Sequence, residues 1–494
     1  MLSLIFTVIF LSERLDASFW RDEAATASAA SRPIGMLLHL VSHQDGGMVG
    51  YYVLMKGWAS LAGTSEPALR APSVVGAVVA VVGAAALSAR IGGFLAGTIA
   101  AIVMVRSQAV LLYGWEARPY ALATGMTTIA ALIAREGSGR SAISPRVRAI
   151  AWTIVAAATI SLNLYVALAL APQLLWFWRG RPIRRGFWRM VTIGLLPLAM
   201  TVLVAVLALR ATVLVSWIKT PTLFWIKADA LAIVPRADLA LLAFAAVATL
   251  AAWSFSGRLA FHRSELVDGM VLVLWAGLPL ATLACVSLAW RPLLDGRYCT
   301  PSDAAAAVLV GICVSAPMRL LATRQRPLLA SLVSVGLAAG LLGGIAAVAH
   351  EADDTPHSKS ENLRAAAVFL KRRSLPSERV IFAPTWAEAG LSWYLAGTGT
   401  IARPTDLAAN VHASRVRAGS LWAPTVSLAT AEKRLASLSR VWVAGYPGPV
   451  AWKPVPDVGT PLLAILRKSW NEQSTRSFGS LVIELWTRRL PARR

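Results

Sequence analysis

Long apolar runs alternate with short polar breaks along this chain, and the longest runs outlast any one-sided helix face of a soluble protein. Segments 71–89, 191–209, 270–289 and 328–349 approach or reach the ~20 consecutive apolar residues that cross a bilayer. The pattern predicts eleven spans, at 1–11, 71–89, 94–112, 120–134, 149–162, 164–178, 190–209, 239–255, 266–289, 303–318 and 328–349. The break near Asn163-Leu164-Tyr165 is inferred from length, because 149–178 is too long for one crossing and too short for two comfortable ones. The first run is short for a span, so either its helix continues through "SERLDA" or earlier residues complete it. It lacks a basic leader and a small-residue cleavage site, which argues against a signal peptide.

Two regions break the spanning pattern. In the loop 12–70, "MLLHLV" and "YYVLMKGWASLAG" are too short to span and are separated by "HQDGGMVG". They predict helices lying along the outer membrane surface. After residue 350 charge and proline rise and no spanning run remains. There "ENLRAAAVFLKRR" predicts an amphipathic helix, and "RVIFAP", "RVWVAG" and "LVIELW" predict short buried strands. The expected architecture is a polytopic α-helical membrane domain over 1–349, with outer juxtamembrane helices in its first loop. A small soluble α/β domain follows over 350–494.

Composition agrees and adds an orientation. Of 494 residues 56% are hydrophobic and 15% charged, with mean hydropathy +0.60, which leaves too little polar surface for a soluble protein. The formal charge of +23 would suggest nucleic acid in a soluble chain, but no zinc spacing, aromatic-basic stripe or binding module supports that. Much of the arginine lies instead in alternate short loops, 135–148, 179–189, 256–263 and 319–326, with Glu136 their sole acid. The positive-inside bias puts these loops in the cytoplasm. Parity then places 12–70, 113–119, 210–238, 290–302 and the C-terminal domain outside a plasma membrane. Those outer segments hold Asp22, Glu23, Asp45, Glu116, Asp229, Asp238 and Asp295. The three cysteines, Cys285, Cys299 and Cys313, lie in or near spans, so the C-terminal domain has neither a disulfide framework nor a cysteine-rich metal site.

The outer charges are the candidate chemistry. Asp22 and Glu23 follow the first span in "SFWRDEAATASAA". An acid there suits a helix N-terminus, offsetting unpaired amides and the dipole. That accounts for one acid, but not for two beside Trp20 and Arg21 close to a membrane. "YGWEARPYA" places Glu116 and Arg118 in one outer turn, and "LLDGRYCTP" places Asp295 and Arg297 in another. Arginines at an interface often only snorkel. If Arg118, Arg297 and Arg70 of "ALRAPS" converge near Asp22, the outer face holds carboxylates opposite several guanidiniums. Such a site suits a phosphate-bearing substrate. His39, His43 and Asp45 match no strong metal-ligand spacing.

A long first outer loop opening on Asp-Glu, then "YYVLMKGWASLAGTSEPALRAPS", "EARPYAL" and "GRYCTP" in that order, resembles the GT-C glycosyltransferases. It is similar in particular to the protein mannosyltransferase and lipid A aminoarabinose transferase group, and to actinobacterial polyprenyl-phosphate-mannose-dependent mannosyltransferases. The motifs cover residues 10–350; the tail matches only as an outer soluble domain. The resemblance implies that Asp22 is the catalytic base with Glu23 its acidic neighbour, and that Arg70, Arg118 and Arg297 bind the donor phosphate. His43, Asp45, Tyr51, Tyr52, Glu116 and Tyr298 would line the site toward the acceptor. It implies inverting transfer of a sugar, with mannose the one expected, from a polyprenyl-phosphate donor to an outer glycan, glycolipid or protein. Membrane lipids are then partners and no cofactor is required, with a divalent metal left open. One departure is plain: a His-Pro-Pro-like or Lys-Pro-Pro-like step before the tyrosines is replaced by "HQDGGMVG". A lipid or small-solute transporter is the main alternative and would need ionisable residues in mid-membrane or repeated halves. No repeat is visible, and Arg106 is the conspicuous charge inside a span. A scaffold that only displays the soluble domain is the third reading.

Overall fold

The computed structural model describes residues 2–135, 144–178, 183–210, 216–254, 263–322, 361–396, 404–410, 417–447 and 456–489. The predicted span 328–349 and parts of all four basic loops lie outside the described residues. The chain divides into two compact units. One comprises the described residues of 1–15, 70–206 and 218–355; the other those of 16–69, 207–217 and 356–494.

The first unit is helical. Its main helices are Leu2–Ser12, Glu66–Gly92 (from Arg70 onward), Phe94–Val105, Pro119–Ala134, Pro145–Leu162, Ile183–Arg210 (to Val206), Arg236–Ser254, Arg263–Ala289 and Pro301–Ala322. Ten of the eleven predicted apolar runs therefore become helical, but not all at spanning length. Among the described residues three helices are long and apolar enough to cross a membrane: Glu66–Gly92, Arg184–Arg210 and Leu266–Ala289. A fourth exists if Leu223–Ile233 and Asp238–Val247, bent by 67°, are counted together.

The shortfalls have local causes. The first helix stops at Ser12 rather than continuing through "SERLDA"; Arg14 turns back to donate to the Phe10 carbonyl and covers the Phe10 ring. The run 94–112 breaks at Arg106, whose side chain is drawn into a buried pair with Asp238 (3.0 Å). The run 164–178 is a chain of short 3-10 and α turns through Trp178, opened by Asn163 Oδ1 accepting from the Tyr165 amide.

Helix Pro301–Ala322 lies at the centre, against Phe94–Val105, Pro119–Ala134, Arg236–Ser254 and Arg263–Ala289. Its buried Ala304–Ala307 run keeps side chains small where helices meet. Close approach recurs where Glu66–Gly92 meets Pro119–Ala134: a Cβ on Gly76 would fall 2.3 Å from Leu122 Cα. Small residues of this kind let membrane helices pack backbone to backbone. Helix Ile183–Arg210 instead exposes Leu195, Leu196, Leu198 and Val202, a face suited to lipid rather than water.

The second unit joins the first loop to the C-terminal domain. Its loop forms helices Arg21–Ala30, Ile34–His43 and Val49–Ala62, so both short apolar stretches are helical. A mixed sheet follows, with strands β1 (Arg379–Ala383), β2 (Thr405–Asp406), β3 (Arg440–Gly445), β4 (Trp470–Phe478) and β5 (Leu481–Arg488) in the order β2-β1-β3-β5-β4. β1 pairs parallel with β2 and β3, while β5 runs antiparallel between β3 and β4. Helices Leu363–Arg373, Glu388–Ala396, Leu428–Ala436 and Gly459–Ser469 complete the domain. One face buries Ile381, Val441, Val443, Leu462, Leu466 and Trp486 in a common core. Strand β4 carries no apolar alternation: only its ends are buried, as befits a solvated edge strand closed by the Gly479 turn.

Candidate functional site

In the second unit Asp22 is the second residue of helix Arg21–Ala30, half-buried, with Glu23 fully buried beside it. The residue before the helix is Trp20, whose indole can donate but not accept, so it cannot cap the first turn. The capping is done by acids. Glu23 Oε2 accepts from the Trp20 amide (3.3 Å), and Glu361 Oε2 accepts from the Arg21 amide (3.2 Å). Carboxylates at these positions also sit favourably at the positive end of the helix dipole.

Glu361 is itself well fixed. It bridges to Gly479 in the β4–β5 turn, and the next residue, Asn362, donates to the Phe478 carbonyl and caps helix Leu363–Arg373. Burial pushes the Glu361 carboxyl above its ordinary range; Arg21 and the Tyr446 hydroxyl work against that, and Asp22 adds to it. Arg21 Nε lies 3.9 Å from Glu361, and its guanidinium lies 5.0 Å from the Trp386 ring and 5.9 Å from the Tyr446 ring. Trp386 and Tyr446 stack 5.0 Å apart just beyond the carboxyl ends of β1 and β3. None of these C-terminal partners was found from the sequence.

The other loop candidates separate. Tyr51 and Tyr52 are buried with rings 5.9 Å apart, and the Tyr52 hydroxyl donates to Asp45. Asp45 holds φ +56°, a left-handed conformation that Asp tolerates. The next residue packs so closely that a Cβ on Gly46 would sit 2.6 Å from Leu207 Cβ, which accounts for a glycine there. His43 is exposed, its ring tilted against that of His39 with centroids 4.3 Å apart. Among the described residues no three His, Cys, Asp or Glu side chains gather as a metal site would require.

The first unit holds the arginines. Arg70 is fully buried; its Nη1 donates to the carbonyls of Arg14 (3.1 Å) and Leu15 (2.8 Å), and its guanidinium lies 5.3 Å from Trp115. Those bonds tie the start of the long helix to the exit of the first one. Arg118 precedes helix Pro119–Ala134 and is nearly buried, 5.9 Å from the Tyr120 ring. Tyr120 packs edge-on to Tyr113 at 5.1 Å and lies 6.4 Å from Tyr298, which stacks on Tyr165 at 4.2 Å.

Burial raises the Tyr113 hydroxyl well above its ordinary range; Arg297 counters this, while Glu116, Asp295 and Tyr120 reinforce it. Arg118, Glu116, Arg297 and Tyr298 thus border one tyrosine cluster. Arg297 is engaged in its own turn, Nε to Asp295 Oδ1 at 2.8 Å and Nη2 to Oδ2 at 3.3 Å. Helix Leu223–Ile233, which the hydrophobic pattern did not reveal, brings Asp229 against this turn: a Cβ on Gly296 would lie 2.9 Å from its Oδ1.

No protein-family model and no curated protein matches this sequence. Solved structures do match. ArnT from Cupriavidus metallidurans in the apo state superposes with TM-score 0.56, covering 98% of this chain and 97% of that one at 12% identity. The chain is similar in fold to ArnT. The same protein bound to undecaprenyl phosphate gives TM-score 0.54, again at 12% identity and over 98% and 97% of the two chains. ArnT is an aminoarabinose transferase of the GT-C type, a group to which the motif order pointed. At this identity the likeness speaks for the fold, a polytopic membrane architecture with a small C-terminal sheet domain.

Proposed function

We propose that this chain is a membrane glycosyltransferase that moves a sugar from a polyprenyl-phosphate donor to an acceptor outside the cytoplasm, inverting the anomeric centre. The observation that carries the reading is the start of helix Arg21–Ala30. Asp22 lies half-buried there beside two further acids, Glu23 and Glu361, which accept from the amides of Trp20 and Arg21. The fold of ArnT, solved once with undecaprenyl phosphate bound, supports a lipid-linked donor.

In this reading Asp22 takes the proton from the acceptor hydroxyl as its oxygen attacks C1 of the sugar. The C1–O bond to phosphate breaks on the opposite face, and polyprenyl phosphate leaves. Base assistance of this kind contributes on the order of 10²–10⁴-fold. Arg118 and Arg297 offset the charge that grows on the leaving phosphate, which acts most strongly in a water-poor site. Arg70, given its bonds to Arg14 and Leu15, holds the start of its helix rather than the phosphate. We assign Glu116, Tyr298, Asp45, Tyr51, Tyr52 and His43 to lining the acceptor part of the site. A transporter would need ionisable residues in mid-membrane or paired broken helices; Arg106, the conspicuous charge inside a span, is held by Asp238 in a buried pair.

Mannose is the sugar to test first. Membranes containing the chain, given radiolabelled polyprenyl-phosphate mannose, are expected to transfer label to an endogenous acceptor, which mass analysis then identifies. No transfer from any polyprenyl-phosphate sugar, with the protein folded and present, would overturn the reading.

A further inference from the structure

We propose that the C-terminal domain supplies positioning residues for the base: Glu361, Tyr394 and Arg364 grip the segment Asp16–Arg21 and so set where Asp22 points. This rests on the reading of Asp22 as the base.

The grip is made of four contacts along six residues. Arg364 Nη2 donates to the Asp16 carbonyl at 2.7 Å, and the Arg364 amide donates to Ser18 Oγ at 3.0 Å. The Phe19 amide donates to the Tyr394 hydroxyl at 2.8 Å, across 375 positions of sequence. The Arg21 amide donates to Glu361, across 340 positions. Of the consecutive amides of Phe19, Trp20 and Arg21, two are therefore held from the C-terminal domain and only the middle one by a neighbour, Glu23.

The gripping side chains are themselves braced. The Tyr394 hydroxyl passes its proton side to Glu66 Oε1 at 2.7 Å, and the same oxygen takes Arg364 Nη2 at 2.6 Å. The Phe19 and Tyr394 rings lie 6.3 Å apart. The partly exposed Arg21 side chain reaches toward Glu361 and lies near the Trp386–Tyr446 stack. Local sequence offers no substitute, since Trp20 cannot accept a hydrogen bond at the capping position. A base must be held to within a fraction of an ångström, and a shift of about 1 Å can cost on the order of 10²-fold in rate. The domain that looks like an appendage in sequence is, on this geometry, the jig for the base.

The test uses the full-length chain in lipid nanodiscs with a polyprenyl-phosphate sugar donor and the acceptor identified from membranes. Tyr394→Phe removes one hydroxyl and keeps the ring; Glu361→Gln keeps an acceptor for the Arg21 amide and removes the charge. Each is expected to lower kcat by about 10-fold or more with donor KM within about twofold and little change in melting temperature, as misplacement of a base would. In an Asp22→Asn background neither should cost anything further. An inactive Asp22→Asn beside fully active Tyr394→Phe and Glu361→Gln would overturn the positioning role and leave the base standing. The same fractional loss in both backgrounds would also overturn it, because the residues would then act independently of Asp22. A fully active Asp22→Asn would remove the base itself. Should Glu361→Gln fail to fold, Tyr394→Phe carries the test alone.

Discussion

Arg135 and Asp268, 133 positions apart, close a buried ion pair, with Nη2 2.9 Å from Oδ2 and Nε 3.5 Å from Oδ1. Trp176 Nε1 adds a third donor to the same carboxylate at 2.8 Å. One acid therefore fastens the end of helix Pro119–Ala134 and the segment Leu174–Trp178 to helix Arg263–Ala289. Removing one partner of such a pair leaves an uncompensated buried charge, at about 3–5 kcal/mol. Arg135→Met is expected to lower the melting temperature sharply, and Arg135→Met with Asp268→Leu to regain much of the loss. Thermal unfolding in detergent reads both; a double variant less stable than the single one would show that the pair does not act as a unit.

Arg297 meets Asp295 with a two-pronged contact, Nε and Nη2 against the two carboxylate oxygens. If this guanidinium receives the donor phosphate, its planar fork matters more than its charge. Arg297→Lys keeps the charge and loses the fork. Binding of polyprenyl phosphate alone, without the sugar, is expected to weaken by about 10-fold, the scale of one charged hydrogen bond. Unchanged lipid phosphate affinity, read by displacement of a labelled lipid, would return Arg297 to a purely structural part in its turn.

Hydrophobic period and motif order made much of the fold legible. Ten of the eleven apolar runs became helical, the three β-rich stretches became β1, β3 and β5, and the two apolar stretches of the first loop became helices Ile34–His43 and Val49–Ala62. What stayed hidden has physical reasons. Strand β4, "WNEQSTRSF", is an exposed edge with only its ends buried, so no alternation marks it. Helix Leu223–Ile233 has no buried residue and lies between two predicted spans, so no buried face marks it. Most of all, the partners of the Asp22 segment lie more than three hundred positions away. Glu361, Tyr394 and Tyr446 carry no local motif, and only tertiary folding shows what they hold.

Asp406 gives the C-terminal domain a pH dependence of stated sign. Desolvation raises its carboxyl to about 7; the bond from the Ala408 amide opposes this, Glu388 adds to it and Arg434 opposes it. An unfolded Asp titrates near 3.9. Between about pH 4 and 7 the folded form binds the extra proton, so this group's stabilisation is full below the lower value and is lost as pH rises through the upper. Melting of the full-length chain should fall from pH 5 to pH 8 more steeply than in Asp406→Asn. Parallel curves would show that Asp406 is not responsible.

The outward placement of the C-terminal domain is open to a direct check. Four basic loops assign the cytoplasmic side, and parity puts residues after 350 opposite. A reporter active only in the cytoplasm, fused after Arg494, is expected to be silent, and one active only outside to be bright. The reverse result would put Asp22 on the cytoplasmic face, away from any outward-facing lipid-linked sugar.

Asp22→Asn separates chemistry from capping. Asn is nearly as good as Asp at a helix start, so a cap loses little by the change. A base loses nearly everything, because the amide keeps the shape without useful basicity. Glu23 supplies the internal comparison: it is fully buried and accepts from the Trp20 amide. Glu23→Gln can still accept there, so it is expected to retain most turnover, while Glu23→Ala should loosen the helix start and lower the melting temperature. Asp22→Asn is expected to fold, bind polyprenyl phosphate normally and lose turnover by on the order of 10²–10⁴-fold. Loss of lipid binding in step with turnover would instead assign Asp22 to donor recognition. Only the pattern of intact binding with lost turnover matches a carboxylate that takes a proton from the acceptor.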